Sequence, residues 1–319
     1  MKLFVTGARG FIGSNFVRYM LNKYDDLQIV NYDALTYAGR GDNLKDIEGN
    51  ERYTFVRGDI KDFKAALTII DGNFDAIVNF AAESHVDRSI ESAMVFLDTN
   101  VCGTQNLLDA ANKAKVPRFV QISTDEVYGS LGATGLFTET TYLKPNSPYA
   151  ASKTSSDLMA LAAFKTHKIP VVITRCSNNY GPYQFPEKLI PLLTTNAMDG
   201  KNLPVYGDGS NVRDWIHVLD HCRAIDDVLM YGKEGEIYNI GGDAERNNLY
   251  IAEKILEYVG KGDIEFVSDR KGHDFRYAMD FSKIRDELGW APEYDFEDGL
   301  KETIHWYKEN RWWWKPLKK

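Results

Sequence analysis

The sequence predicts an α/β protein: a doubly wound parallel sheet joined to a smaller, mainly C-terminal α/β lobe. Three observations carry this expectation. A short apolar strand at 3–6 runs directly into a glycine-rich turn, GARGFIG at 7–13, that opens a helix. Apolar strand-like runs then alternate with helical stretches to about residue 175, the pattern that βαβ units impose. Beyond about Asn178 the alternation loosens, because Pro182, Pro186, Pro191 and Pro204 with nearby glycines mark irregular chain. Shorter strand and helix pieces come after it, including 236–240 and 248–259.

The first βα unit reads as a dinucleotide-binding turn. Gly7 permits the tight bend, Gly10 lets backbone amides approach a pyrophosphate at the helix N-terminus, and Gly13 allows close helix–strand packing. The spacing is GxxGxxG rather than GxGxxG. After a helix at 11–23, a second strand at 27–32 ends at Asp33, 20 residues beyond Gly13. An acid there accepts hydrogen bonds from the adenosine ribose hydroxyls and repels the extra phosphate of NADP. Arg9 pulls the other way, but Asp33 holds the more direct position, so the expected cofactor is NAD. Further strands at 53–57, 76–80, 118–122 and 171–175, with helices at 61–70, 94–114 and 149–167, complete a Rossmann-type sheet.

The strand at 119–122 ends in Ser123-Thr124-Asp125-Glu126-Val127-Tyr128-Gly129. Open α/β sheets bind ligands beyond the carboxyl ends of their strands, which should set Asp125 and Glu126 in a crevice. There one carboxyl can be held protonated as an acid while the other stays ionised as a base. Taken alone, the run fits equally well two acids meeting the dipole of a turn N-terminus. The dinucleotide turn tips the balance toward chemistry. Tyr149 and Lys153 lie four apart at the start of the helix at 149–167 and so share a face. An ammonium beside a phenol favours phenolate, so Lys153 is expected to lower the pKa of Tyr149, with Thr124 as an added hydroxyl donor.

Composition narrows the class of partner. At 319 residues the chain can bury a large core, and its net charge of -8 argues against nucleic acid, which needs a basic surface. No apolar run reaches membrane-spanning length, and 1–6 is too short for a signal peptide, so the expected compartment is the cytoplasm. Cys102, Cys176 and Cys222 show no metal-ligand spacing and read as small buried side chains. Trp312, Trp313 and Trp314, after a helix at 296–310, are expected to pack against the body of the protein.

The residues also carry a resemblance. The chain resembles the extended short-chain dehydrogenases/reductases, and among them the dTDP-glucose 4,6-dehydratase family, over essentially its whole length. The matching motifs are GARGFIG at 7–13, NYDALTYAG at 31–39, GDI at 58–60, NFAAESHVDRSI at 79–90, STDEVYGSLG at 123–132 and SPYAASK at 147–153. In the second lobe they are RCSNNYGPYQFPEKLIPL at 175–192, LPVYGDGSNVRDWIHV at 203–218 and YNIGG at 238–242.

The resemblance implies a cycle in which NAD accepts a hydride from C4 of the glucosyl group while Tyr149, helped by Thr124 and Lys153, removes the hydroxyl proton. Glu126 then takes the C5 proton, Asp125 protonates the departing C6 hydroxyl, and the hydride returns to C6. The same resemblance implies cofactor contacts from Gly7, Gly10, Phe11, Ile12, Gly13, Asp33, Ala34, Leu35, Thr36, Asp59, Ile60, Ala81, Ala82, Ser84, Thr99, Tyr149, Lys153 and Asn179. It implies contacts to dTDP-glucose from Ser84, Thr124, Asn178, Lys188, Leu189, Pro204, Tyr206, Arg213, Asn248, Asp269 and His273, with no metal taking part. By likeness to the family, residues 1–178 with about 214–241 form the NAD domain, and about 179–213 with 242–319 form the sugar-nucleotide lobe. Two such chains are expected to join as a homodimer through helices at 94–114 and 152–167.

Thr124-Asp125-Glu126 is the discriminator among relatives. Epimerase-like members lack the acid pair, and UDP-glucuronate decarboxylases and GDP-mannose 4,6-dehydratases carry Thr-Ser-Glu. A related UDP-sugar dehydratase, decarboxylase or 4-epimerase is the alternative reading. The chain departs from the family at Lys271, where proline is usual, and at Phe275, where arginine is usual, both beside the nucleotide site.

Overall fold

The protein is described by a computed structural model over residues 1–70, 73–269 and 272–318. In chain order the strands are β1 (Lys2–Thr6), β2 (Gln28–Asp33), β3 (Tyr53–Arg57), β4 (Ala76–Asn79), β5 (Phe119–Thr124), β6 (Val171–Cys176), β7 (Asn178–Tyr180), β8 (Leu203–Tyr206), β9 (Val212–His217), β10 (Ile237–Ile240), β11 (Glu245–Asn247) and β12 (Ile264–Val267). The helices are α1 (Phe11–Lys23), α2 (Phe63–Ile69), α3 (Val86–Glu91), α4 (Ala93–Phe96), α5 (Thr104–Ala114), α6 (Pro148–His167), α7 (Leu189–Met198), α8 (Val218–Tyr231), α9 (Asn248–Val259), α10 (Ser282–Leu288), α11 (Phe296–Glu309) and α12 (Arg311–Trp314).

Seven parallel strands form one sheet in the order β3–β2–β1–β4–β5–β6–β10. Alternation along β1 shows why both faces are covered. Leu3 and Val5 pack with Phe16 and Met20 of α1 and Ile225 and Val228 of α8. Phe4 points the other way, into a core with Leu107 and Leu108 of α5 and Ala160 of α6. β4, β5 and β6 are buried along their whole length, as strands covered on both faces must be. The strand order reverses between β1 and β4, which opens the ligand crevice at their carboxyl ends.

The remaining strands make two small sheets. β9 lies between β7 and β11, and β8 pairs with β12. β9 therefore lies outside the large sheet, within the span from about 214 that likeness to the family assigns to the NAD domain, and α8 after it packs on that sheet. A separate core of Tyr180, Leu193, Leu203, Trp215, Ile251 and Leu300 holds this lobe together.

Several local expectations change. The helix expected at 94–114 is α4 and α5 joined by a π-helical segment, Leu97–Gly103. Its buried Asn100 accepts from the Glu83 amide at 2.8 Å and donates to the Glu83 carbonyl at 3.0 Å and the Ser152 hydroxyl at 2.8 Å, so the widened turn serves the neighbouring loop. Trp313 and Trp314 are buried, but Trp312 is 54% exposed, its ring nitrogen donating to Asn310. Cys176 and Cys222 are buried as expected; Cys102 is exposed, because it lies on the outer side of the π-helical turn.

One buried ion pair ties the layers around the strand ends. Arg175 of β6 donates to Asp157 of α6 at 2.9 Å and to the Tyr128 hydroxyl at 2.9 Å, and Tyr128 donates to Asn239 of β10 at 2.8 Å. Removing one charge strands the other in the core, so Asp157→Ala should cost about 3–5 kcal/mol in urea unfolding. Adding Arg175→Met should recover much of that loss; a double variant as unstable as the single would show that packing, not charge, dominates there.

Candidate active site

The site grows from the ends of β1, β4, β5 and β6. At Gly7 the backbone takes φ +67°, and an added Cβ would lie 2.7 Å from Ala81 Cα. At Gly13 a Cβ would meet Ala8 Cα at 2.7 Å. These two glycines press the turn and α1 against the sheet. The start of α1 has no side-chain cap, which leaves its amides facing the crevice, as anion binding at a helix N-terminus requires.

A cleft of about 330 Å³ begins at this turn. Gly7, Gly10, Phe11, Ile12 and Gly13 form one end with Asp33, Ala34, Thr36, Asp59 and Ile60. Ala81, Ala82, Ser84, Thr99, Thr124, Asp125, Glu126, Tyr149, Lys153, Asn178, Asn179 and Lys188 also line it. Leu35 is not in the wall; its φ is +55° and its amide donates to Asp33 Oδ1 at 2.8 Å. Asp33 also accepts from the Arg9 amide at 2.8 Å, and burial lifts its carboxyl above the usual range. The Arg9 guanidinium is occupied elsewhere, bonded to Glu48 at 3.0 Å and lying 3.8 Å over the Phe55 ring. The glycine turn, the uncapped helix start and Asp33 fit a dinucleotide.

β5 runs two residues further than its apolar run, carrying Ser123 and Thr124 into the sheet. A 3₁₀ turn, Asp125–Tyr128, comes next, and the Thr124 hydroxyl caps it by accepting from the Glu126 amide at 3.3 Å. Thr124 also donates to Asp125 Oδ1 at 3.0 Å, while Asp125 Oδ2 is buried with no hydrogen-bond partner. Burial, then the Glu126 charge, push the Asp125 carboxyl well above the ordinary carboxylate range. Both effects favour the neutral form of Asp125. Acid and base character are separated within one turn.

Ser147 caps α6 by accepting from the Ala150 amide at 3.1 Å, and Pro148 occupies its first turn, which sets Tyr149 and Lys153 on the face toward β5. The expected lowering of the Tyr149 pKa is not what the geometry produces. Burial and the Glu126 charge raise it well above its usual value, against hydrogen bonding from Thr124. The Lys153 ammonium donates to the Ile122 carbonyl at 2.6 Å, and burial lowers its own pKa. Cys176, read from sequence only as a buried side chain, lines the same cleft, its thiol pushed up to about 12 chiefly by burial. The strand-end rule that singled out β5 applies equally to β6 and could have found it.

The other expected sugar-nucleotide residues lie beyond the cleft wall. Arg213 of β9 is buried, donates to the Val212 and Asp274 carbonyls, and is close enough to Asp125 to oppose its pKa rise. Tyr206 of β8 meets the His273 ring edge-on at 6.1 Å, and His273 is 2.6 Å from Asp269. Asn248 starts α9 with a buried Oδ1 that has no hydrogen-bond partner, Pro204 sits in β8, and Leu189 opens α7. Phe275 is exposed, its amide donating to Ser130; Lys271 lies outside the described residues. Among the described residues no cluster of His, Cys, Asp or Glu could hold a metal ion.

Residues 4–303 match the family model described as GDP-mannose 4,6 dehydratase. A dTDP-glucose 4,6-dehydratase of Streptomyces niveus is 54% identical over 324 residues, covering 100% of this chain and 96% of that protein. The chain belongs to the dTDP-glucose 4,6-dehydratase family. A crystal structure of the dehydratase DesIV from Streptomyces venezuelae, with NAD bound, aligns over 100% of both chains with a TM-score of 0.97 and 54% identity. The Bacillus anthracis dTDP-glucose 4,6-dehydratase in complex with NAD aligns at 0.94 and 54% identity, again over 100% of both chains. Both of those structures hold NAD.

The raised Asp125 pKa makes a stability prediction. The folded protein keeps a proton that the unfolded chain releases near pH 4, so the site loses stability as pH rises from there toward the folded pKa. Asp125→Asn removes that loss. Its melting temperature should exceed the parent's at pH 7, with the difference shrinking below about pH 4. Equal melting temperatures at pH 7 would contradict the assignment.

Proposed function

We propose that the chain converts dTDP-glucose to dTDP-4-keto-6-deoxy-glucose by C4 oxidation, loss of water across C5–C6 and reduction at C6. The observation that carries this reading is the buried Asp125, its carboxyl pushed well above the ordinary range, beside Glu126 in the same cleft as Tyr149 and the dinucleotide turn. Bound NAD supplies the acceptor for the C4 hydride and, once reduced, the donor to C6, so no net redox change occurs.

The chain's own groups do the proton work. Tyr149 takes the C4 hydroxyl proton as its phenolate, a form that burial and the Glu126 charge disfavour and that the positive charges of Lys153 and of bound NAD would restore. Thr124 hydrogen-bonds the phenol, and Lys153 is held by its bond to the Ile122 carbonyl of β5. Once C4 is a ketone, the C5 hydrogen is acidic enough for a carboxylate, and Glu126 takes it and returns a proton to C5 when the hydride reaches C6. Asp125, still protonated, gives its proton to the C6 hydroxyl as water departs. Asp33 and the glycine turn orient the nucleotide at one end of the cleft. Arg213, Lys188 and the segment around His273 provide the positive and polar groups for the sugar-nucleotide diphosphate. This divides the chain as 1–178 with about 214–241 for NAD, and about 179–213 with 242–319 for the sugar nucleotide.

A second copy of the chain completes the particle in this reading. Ile90, Met94, Val95 and Leu97 are exposed apolar side chains on α3, α4 and the π-helical turn, and Leu158 and Met159 are exposed on α6. Together they form an apolar stripe on packed helices, of the kind that homodimers bury. No helix among the described residues is long and apolar enough to cross a membrane, and we place the enzyme in the cytoplasm.

The half-reactions separate by variant. Tyr149→Phe should slow the initial oxidation, whereas Asp125→Asn and Glu126→Gln should leave oxidation measurable and slow elimination roughly 100- to 10,000-fold. Deuterium placed at C4 of dTDP-glucose should reappear at C6 of the same product molecule, read by mass spectrometry. Carboxamide variants that block oxidation but spare elimination, or extensive label crossover between molecules, would refute the roles given. For the dimer, sedimentation should show two chains per particle, and Met94→Asp with Leu158→Asp should yield monomer; a monomeric parent would refute it.

A further inference from the structure

A cofactor that is reduced and reoxidised within one turnover must not leave between the two steps, and the mouth of the cleft carries a device suited to holding it. We propose that Tyr37, Arg88 and Glu187 form a clasp across the cofactor cleft that governs how fast NAD enters and leaves. The inference rests on the assignment of NAD to this cleft.

The two walls that the clasp joins come from distant parts of the chain. Thr36, Ala38 and Gly39, in the loop after β2, line the cleft on one side, and Phe185, Glu187 and Lys188, before α7, line it on the other. Tyr37 stands between the first three. Its hydroxyl donates to Glu187 Oε1 at 3.0 Å, and its ring meets Phe185 edge-on with centroids 5.6 Å apart. Arg88 of α3 donates to Glu187 Oε2 at 3.0 Å and lays its guanidinium 3.6 Å over the Tyr37 ring. One carboxylate therefore takes a phenol on one oxygen and a guanidinium on the other, the charge-assisted arrangement that gives hydrogen bonds their greatest strength. The Glu187 side chain is only 17% exposed, so water competes weakly for it. The neighbouring Lys188 ammonium adds a bond to the Ser84 carbonyl at 2.9 Å.

The loop is anchored at both ends. Leu35 at its start is fixed in the left-handed region by its bond to Asp33, and the Arg40 amide at its end donates to the Arg9 carbonyl at 2.9 Å. Between these anchors Tyr37 fastens the middle to the opposite wall. Opening it frees one wall from the other while both anchors stay in place. Because Tyr37 and Arg88 meet on one carboxylate, loss of either weakens the other, and the three act as one latch.

The test measures cofactor exchange. Purified protein loaded with radiolabelled NAD is chased with excess unlabelled NAD, and the release and uptake rates are read for the parent, Tyr37→Phe, Glu187→Gln and the double variant. Tyr37→Phe keeps the ring on Phe185 and Arg88 and removes only the hydroxyl. It should release NAD roughly 10-fold faster, the effect of losing one hydrogen bond to a charged group. Uptake should also quicken, since entry crosses the same latch. The double variant should be little faster than the faster single, because both changes break one contact. During turnover both variants should leave free NADH in the protein-free filtrate, and the parent should not.

Parental release rates in variants that keep the parent's melting temperature would overturn the clasp. So would single effects that simply multiply. The chase requires no sugar nucleotide, so a chain that holds NAD but acts on another sugar still reports on the clasp. A parent that binds no NAD would overturn the cofactor assignment and the clasp together.

Discussion

Two adjacent carboxyl groups in one buried turn cannot both be ionised cheaply, and the chemistry at the strand ends depends on that constraint. The turn after β5 buries Asp125 and leaves Glu126 facing the cleft, so burial and the Glu126 charge both favour the neutral form of Asp125. Position in the sheet is what imposes this. β5 is central, flanked by β4 and β6, and its continuation through Thr124 brings the turn under cover instead of letting it emerge into water.

The same central position organises the partners of the pair. α6 crosses against β5 so that Lys153 reaches the Ile122 carbonyl and Tyr149 lies in the field of Glu126. A second layer holds that arrangement: Arg175, Asp157 and Tyr128 link β6, α6 and the acid-bearing turn through buried hydrogen bonds. The carboxyl turn and the Tyr149 helix are thus braced by one network. On the far side, β1 and its glycines bring the dinucleotide turn to the same crevice because the strand order reverses between β1 and β4.

Much of this was legible in one dimension. The elements that the sequence placed best are those with a local cause: β3 at 53–57 and α9 at 248–259 coincide with their apolar runs, and α1 begins within GARGFIG, directly after Gly10. Element boundaries were missed where a distant partner decides them. β5 gains Ser123 and Thr124 because β6 offers Arg175 and Cys176 opposite them. The helix at 94–114 breaks into a π-helical turn because Asn100 serves the Glu83 backbone, a contact 17 residues away. Glu187 escaped notice as a cleft residue because nothing in its own neighbourhood marks it, whereas Cys176 was missed although it ends β6, where the strand-end rule applies.

By itself the sequence determined the class of fold, the dinucleotide turn, the side-chain inventory of the site and the family, because these rest on short-range spacing and on residue types that tolerate no substitute. It could not determine protonation. Tyr149 and Lys153 at four-residue spacing suggested an activated phenol, but the phenol is instead raised in pKa, since burial and the Glu126 charge act on it from across the cleft. It could not show that Arg9 would turn to Glu48, or that Tyr37 would reach Glu187 across 150 positions of chain. Desolvation, charge–charge energy and the closing of two walls are properties of distances between segments. Only the tertiary structure sets those distances.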